Sequence, residues 1–113
     1  MVYLCESLTD VDGSTTPMLG LLRGHATMQR RFAALGMQQF DTRTGPMRGH
    51  TFHYSRLDTP LVPVATAARP DGSEGGGEAV YRVGAIVATY MHMYWPSNPD
   101  LVVALFGGEV FET

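Results

Sequence analysis

A single histidine stands among aromatics and methionines in Ala88-Thr-Tyr-Met-His-Met-Tyr-Trp-Pro-Ser-Asn-Pro99, immediately before a turn bracketed by prolines. An imidazole in such a place can move protons, ligate a metal or simply fill a core. Strand alternation over Ile86 to Tyr94 would set Ile86, Ala88, Tyr90, His92 and Tyr94 on one face, with His92 at the end of the strand. Strand ends followed by turns are where α/β scaffolds carry reactive groups, because the strand fixes the side chain and the turn exposes it. On residue types alone, a core histidine is the blander reading and the favoured one.

Two further histidines lie in Met47 to Ser55, MRGHTFHYS. As a strand, this segment puts His50, Phe52 and Tyr54 on one face and Thr51, His53 and Ser55 on the other, so His50 and His53 cannot share one ion. A His-x-x-His metal pair would need a helix, against which Gly49 and the aromatic and β-branched neighbours argue. The one cysteine, Cys5, makes no internal disulfide and no zinc spacing with the four scattered histidines. Asp10-Val-Asp-Gly13 lacks the sixth-position glycine and closing glutamate of a calcium loop and reads as a turn. The glycines of Arg69-Pro-Asp-Gly-Ser-Glu-Gly-Gly-Gly77 come without Gly-Lys-Ser/Thr and are flanked by Glu74 and Glu78, the wrong charge for phosphate, so a mobile surface loop is expected. No metal site is expected.

The elements that must position these groups are short. Met1, Leu4, Cys5 and Leu8 fall at helical spacing and predict a helix at the start of the chain, one with no N-cap residue ahead of it. From Pro17 onward the pattern predicts β segments at Met18–Leu22, Arg31–Leu35, Met37–Phe40, Met47–Ser55 and Leu61–Ala68, with Val80–Trp95 as the longest strand-like region. Asn98-Pro99 followed by an apolar run and Gly107 predicts a capped helix at the other end. There is no internal repeat, and one domain over 1–113 is expected.

Composition narrows the function classes. The 113 residues carry a formal charge of -3 with no cluster of either sign, which gives no electrostatic footprint for nucleic acid or an anionic membrane. No apolar run approaches the roughly 20 residues of a membrane span, and no signal core follows a basic N-terminus. A cytoplasmic protein with neither a nucleic acid nor a membrane as partner is expected.

Taken in order and spacing, MVYLCESLTDVDG, PMLGLLRGHATMQRR, MRGHTFHYS and ATYMHMYWPSNPDLVVALF resemble the C-terminal part of the amidotransferase domain in the cobyrinic acid a,c-diamide synthase family of cobalamin-pathway glutamine amidotransferases. The most specific pieces are Arg48-Gly-His-x-Phe-His-Tyr-Ser55 and Tyr90-x-His-x-(aromatic)-x-Pro-Ser-Asn-Pro99. Arg23 stands where the family pattern has proline, and Thr51 and Tyr94 where it has Glu and Phe. The resemblance implies an α/β, partial class I amidotransferase-like fold with a mixed or antiparallel sheet and a helix at each end. It implies glutamine hydrolysis by a cysteine thiolate, with His92 as the base, and ATP- and Mg2+-dependent amidation of the a and c carboxylates of cobyrinate or hydrogenobyrinate. Arg48, His50, His53 and Tyr90 would bind or position substrate. The family's nucleophile lies in a Glu-Cys-Gly-Gly elbow just before a Met-Met-Tyr-Leu helix. That elbow and the N-terminal synthetase domain are expected to lie outside this chain, Cys5 is expected to be structural, and the chain is expected to be inactive alone and homo-oligomeric, binding no cofactor itself. The alternative is a non-catalytic binding or oligomerising remnant of such a domain.

Overall fold

The structure, a computed structural model, describes residues 1–73 and 77–107. The chain divides into two units, the first made of Met1–Leu35 and Phe52–Val62 and the second of Gly36–Thr51 and Pro63–Thr113.

The first unit holds a mixed sheet. Its strands are β1 (Ser7–Thr9), β2 (Thr15–Pro17), β3 (His25–Met28) and, later in the chain, β6 (Ser55–Asp58), in the order β2-β1-β3-β6. β1 runs antiparallel to β2 and parallel to β3, and β3 is antiparallel to β6. The β1–β2 turn is built by Asp10, whose Oδ1 accepts from the N–H groups of Asp12 and Ser14 at 2.9 and 3.0 Å. That is the side-chain-to-backbone bonding which makes Asp a turn residue.

The expected N-terminal helix is a correction. Only one 3-10 turn forms, Val2–Leu4, and Cys5 behind it is already extended. The reason is competition for carbonyls. Those of Tyr3, Leu4, Cys5 and Glu6 accept instead from the N–H groups of Leu19, Leu22, Gly20 and Met18, at 2.8–3.1 Å. The same bonds hold Met18–Leu22 in irregular backbone rather than the expected strand. Of the apolar stripe only Cys5 is buried, Met1, Leu4 and Leu8 being half-buried, and tertiary hydrogen bonding decided the backbone.

The second unit has two three-stranded sheets and a helix. One sheet contains β4 (Ala34–Thr42), β5 (Gly45–His53) and β10 (His92–Met93), in the order β10-β5-β4; the other contains β7 (Ala65–Thr66), β8 (Ala79–Val83) and β9 (Ile86–Thr89), in the order β7-β8-β9. β4 takes in the segment expected at Met37–Phe40 but only Ala34 and Leu35 of the one expected at Arg31–Leu35, whose first three residues lie outside any strand. Prolines at 60 and 63 leave only two residues of the strand expected at Leu61–Ala68. The long strand expected over Val80–Trp95 is instead a hairpin, reversed at Gly84 with φ +59, followed by β10 in another sheet. The helix α1 (Pro99–Phe106) is where its caps placed it. Phe40, Met47, Ala67, Val80, Met91 and Leu101 form the buried cluster of this unit. Most of the glycine-rich loop lies in the described part, as a turn around Asp71; residues 74–76 lie outside it. No helix among the described residues is long and apolar enough to cross a membrane.

Asn98 ties α1 to the turn between β4 and β5. Its Oδ1 accepts from Leu101 N–H at 3.1 Å and from the Thr44 hydroxyl at 3.0 Å, and its Nδ2 donates to Thr42 Oγ1 at 3.2 Å and Gly45 O at 3.0 Å. Being buried at 4% exposure, the amide must find such partners, and it has used both its donors. Asn98→Ala is expected to cost about 2 kcal/mol, at the upper end for an N-cap because two strand-turn contacts go with it. Asn98→Asp, which keeps the acceptor and loses both donors, should fall between. Urea midpoints at constant m-value check the order; an alanine variant as stable as the parent would remove the tie.

Candidate functional site

The exposed face of the β5–β10 pair gathers most of the singled-out residues. β5 alternates strictly, with Met47, Gly49 and Thr51 buried and Arg48, His50 and Phe52 exposed. β10 lies antiparallel to it, with His92 opposite His50 and Met93 opposite Gly49. The Tyr94 N–H continues the register by donating to Arg48 O at 2.8 Å. Residues opposite each other in such a pair project to the same side. Arg48, His50, His92 and Tyr94 therefore share one exposed face, Tyr94 with 63% of its surface open.

Two local features build that face. Gly49 lets the strands close: a Cβ there would lie 2.3 Å from His92 O and 3.0 Å from Met91 Cγ. Ser97 then fastens the end of β10 to β5, its Oγ accepting from Arg48 N–H at 3.0 Å and lying 2.6 Å from Tyr94 O, to which it donates. The sequence marks Pro-Ser-Asn-Pro as a turn into a helix and as a piece of the family resemblance, but not as a clamp. Its Ser97 and Asn98 are also the clamp on the strand that carries Arg48 and His50. The signal available was the pairing of two small hydrogen-bonding residues between prolines, but its target, fifty residues away, was not.

The expected continuous face from Ile86 to Tyr94 is a correction. Thr89 Oγ1 donates to Ala79 O at 2.9 Å and accepts from Met91 N–H at 3.1 Å, which ends β9 and bends the chain at Tyr90 and Met91. Met91 is buried and Tyr90 half-buried. His92 is thus carried by a different sheet from Ile86 and Ala88. Its ring is exposed and has no hydrogen-bond partner among the described residues, so it is not the core histidine that residue types alone favoured. His53 belongs to the first unit. It is half-buried, with Nδ1 2.8 Å from Ser55 O; a carbonyl only accepts, so this nitrogen carries a proton and the ring braces its own turn. His50 and His53 point to opposite sides of β5, as alternation required.

Cys5, in the first unit, is 1% exposed. Burial pushes its thiol above the usual range; the N-terminal ammonium opposes this and Glu6 adds to it. A thiol held protonated is a poor nucleophile. A constellation absent from the sequence reading is Glu6, Ser7 and His25. The His25 Nε2 lies 3.3 Å from Glu6 Oε2 and its Nδ1 2.6 Å from Ser7 Oγ, linking the neighbouring strands β1 and β3 at an exposed position. Among the described residues no group of three or more His, Cys, Asp or Glu side chains is placed to hold a metal ion.

The fold and site define an α/β domain that presents a free imidazole, flanked by a guanidinium and a phenol, on an open strand pair. The chain belongs to the CobB/CobQ-like glutamine amidotransferase domain family, whose pattern matches residues 1–100. It is 45% identical over 111 residues to the cobyrinate a,c-diamide synthase of Herminiimonas arsenicoxydans, covering 97% of this chain and 25% of that protein. It is 45% identical over 105 residues to the hydrogenobyrinate a,c-diamide synthase of Pseudomonas aeruginosa, covering 93% and 24% respectively. A cobyrinate a,c-diamide synthase of Dehalococcoides mccartyi is 32% identical over 112 residues. The chain spans about a quarter of the length of these relatives.

Gly49→Ala is expected to destabilise the protein by about 1–3 kcal/mol, the range for an added group that forces backbone apart, and to lower the protection of the Tyr94 amide from hydrogen exchange. A change below about 0.5 kcal/mol, the ordinary surface range, would mean that the strands do not approach as described.

Proposed function

We propose that the whole protein to which this sequence contributes is an ATP- and glutamine-dependent amide ligase acting on the a and c side-chain carboxylates of cobyrinate or hydrogenobyrinate, and that residues 1–113 are the C-terminal part of its glutamine-hydrolysing domain. The relatives' names support the reaction class. The observation that carries the assignment of His92 is its exposed imidazole, unpartnered among the described residues and fixed at a strand end by the β5 ladder and the Ser97 clamp.

In this reading His92 takes the proton of a cysteine thiol as the sulfur attacks the glutamine side-chain carbonyl, and returns it to the departing ammonia. An imidazole ring is suited to both steps because one of its nitrogens can accept a proton and hold it for return to the leaving group. Cys5 does not supply the sulfur, being buried and held protonated; the nucleophile belongs to another part of the whole protein. Arg48 and His50, on the same face, position the substrate. Tyr90, at the bend, supports the turn that presents His92. His53 braces the first unit and leaves substrate contact to the others. ATP with magnesium would activate the accepting carboxylate.

His92→Asn in the whole enzyme is expected to lower glutamine-dependent amidation by about 10²–10⁴-fold, the range for losing a general acid–base group, while amidation with added ammonium salt stays within a factor of about two. Only the release of ammonia needs the thiolate. Steady-state rates with the two nitrogen sources, measured side by side, decide it. Equal loss with both would make the imidazole structural and the assignment wrong.

A further inference from the structure

The connection from β3 to β4 in the first unit steps out of the ladder. Gln29 N–H donates to Tyr54 O at 2.9 Å and Ala33 N–H to His53 O at 2.9 Å. Two adjacent residues thus hold Gln29 and Ala33, and Arg30, Arg31 and Phe32 bulge out between them. Extra residues in a ladder re-aim side chains, and such bulges are common beside binding sites. Phe32 is 52% exposed. Its ring is nevertheless fixed, with centroids 5.1 Å from Phe52 and 5.0 Å from Tyr54, which themselves meet edge-on at 5.7 Å. Beside it opens a cleft of about 630 Å³ lined by Gln29, Arg30, Arg31, Phe32, Ala33 and Arg56. Arg56 reaches it from β6, opposite Thr27.

Three arginines therefore line one cleft in a chain whose net charge is -3. Among the described residues none of the three is paired with a carboxylate. Like charges gathered without counter-ions repel one another, and a bound anion relieves this. Guanidinium forks match carboxylate oxygens two at a time, and their planes stack on flat rings. The exposed face of Phe32, held still by two other rings, offers apolar area at little entropic cost.

We propose that this cleft binds a flat organic anion bearing two or more carboxylates, which Arg30, Arg31 and Arg56 engage while Phe32 packs on the ligand's planar body. The site lies in the first unit, apart in sequence from the His92 face, and its existence does not depend on the function proposed for that face. It deepens that reading in one respect only, because a corrinoid with side-chain carboxylates has the required chemistry.

Calorimetric titration of the full chain with mellitate, a benzene ring carboxylated at every carbon, tests the proposal. Saturable one-to-one binding is expected. Arg30→Gln, Arg31→Gln and Arg56→Gln should each weaken it about tenfold, as one lost charge-assisted hydrogen bond does, and Arg69→Gln should leave it unchanged. Phe32→Leu should weaken mellitate more than the flexible butanetetracarboxylate. Near-UV circular dichroism verifies that each variant is folded. Binding of pyrophosphate or butanetetracarboxylate as tight as that of mellitate would overturn the flat-carboxylate class. So would a folded triple-glutamine variant that binds mellitate unchanged, or no binding by the parent. Cobyrinate in the same titration separates the two readings. Mellitate without cobyrinate binding sustains the cleft and counts against the corrinoid reaction, whereas binding of neither overturns the cleft and leaves the test of His92 standing.

Discussion

The buried amide of Asn98 is the constraint on which the second unit depends. A side chain with two donors and an acceptor oxygen, placed where water does not reach, is costly unless every group is matched. Here the matching groups are the first turn of α1 on one side and the Thr42–Gly45 turn on the other. One residue therefore fixes where the helix begins and how the β4–β5 turn sits against it. Ser97, its neighbour, carries the restraint along β5 to Arg48. Gly49 completes it by leaving room for the His92 carbonyl.

From that clamp the placement of the exposed face follows. β10 is only two residues long, too short to hold its register by its own ladder. The bonds of Ser97 and Tyr94 to Arg48 extend the pairing by backbone and side chain together. Behind the face, Met47, Met91 and Leu101 belong to the buried cluster, so the strand pair rests on packed side chains. Rigid support beneath and an exposed ring above would serve the proton transfer proposed for His92. The Thr51 hydroxyl, on the inner face of β5, is buried without a hydrogen-bond partner among the described residues.

What the sequence disclosed and what it concealed divide along physical lines. α1 was legible because its signals are local: Asn98, Pro99 and Gly107 act within one or two turns. The alternation of β5 was legible for the same reason, and with it the separation of His50 from His53. The N-terminal helix was misread because an apolar stripe says nothing of which amides will reach its carbonyls from Met18 to Leu22. The hairpin at Gly84 was missed because a glycine inside a strand pattern signals a bulge as readily as a reversal. The pairing of His92 with His50 could not be seen, since register between distant strands is set by tertiary contacts such as the Ser97 clamp. The arginine cleft was hidden likewise, because Arg56 joins Arg30 and Arg31 only across the β3–β6 ladder.

The pairing of β10 with β5 is the claim from which the exposure of His92 and its placement beside Arg48 and His50 all derive. The Tyr94–Arg48 hydrogen bond makes Gly49 and Met93 a non-hydrogen-bonded pair, in which α protons of the two strands approach closely. A nuclear Overhauser spectrum of the labelled protein tests this directly. A strong cross-strand contact between the α protons of Gly49 and Met93, with a slowly exchanging Tyr94 amide, is the expected result. Absence of any cross-strand contact between residues 48–50 and 92–94 in a folded sample would contradict it, and with it the placement of the imidazole.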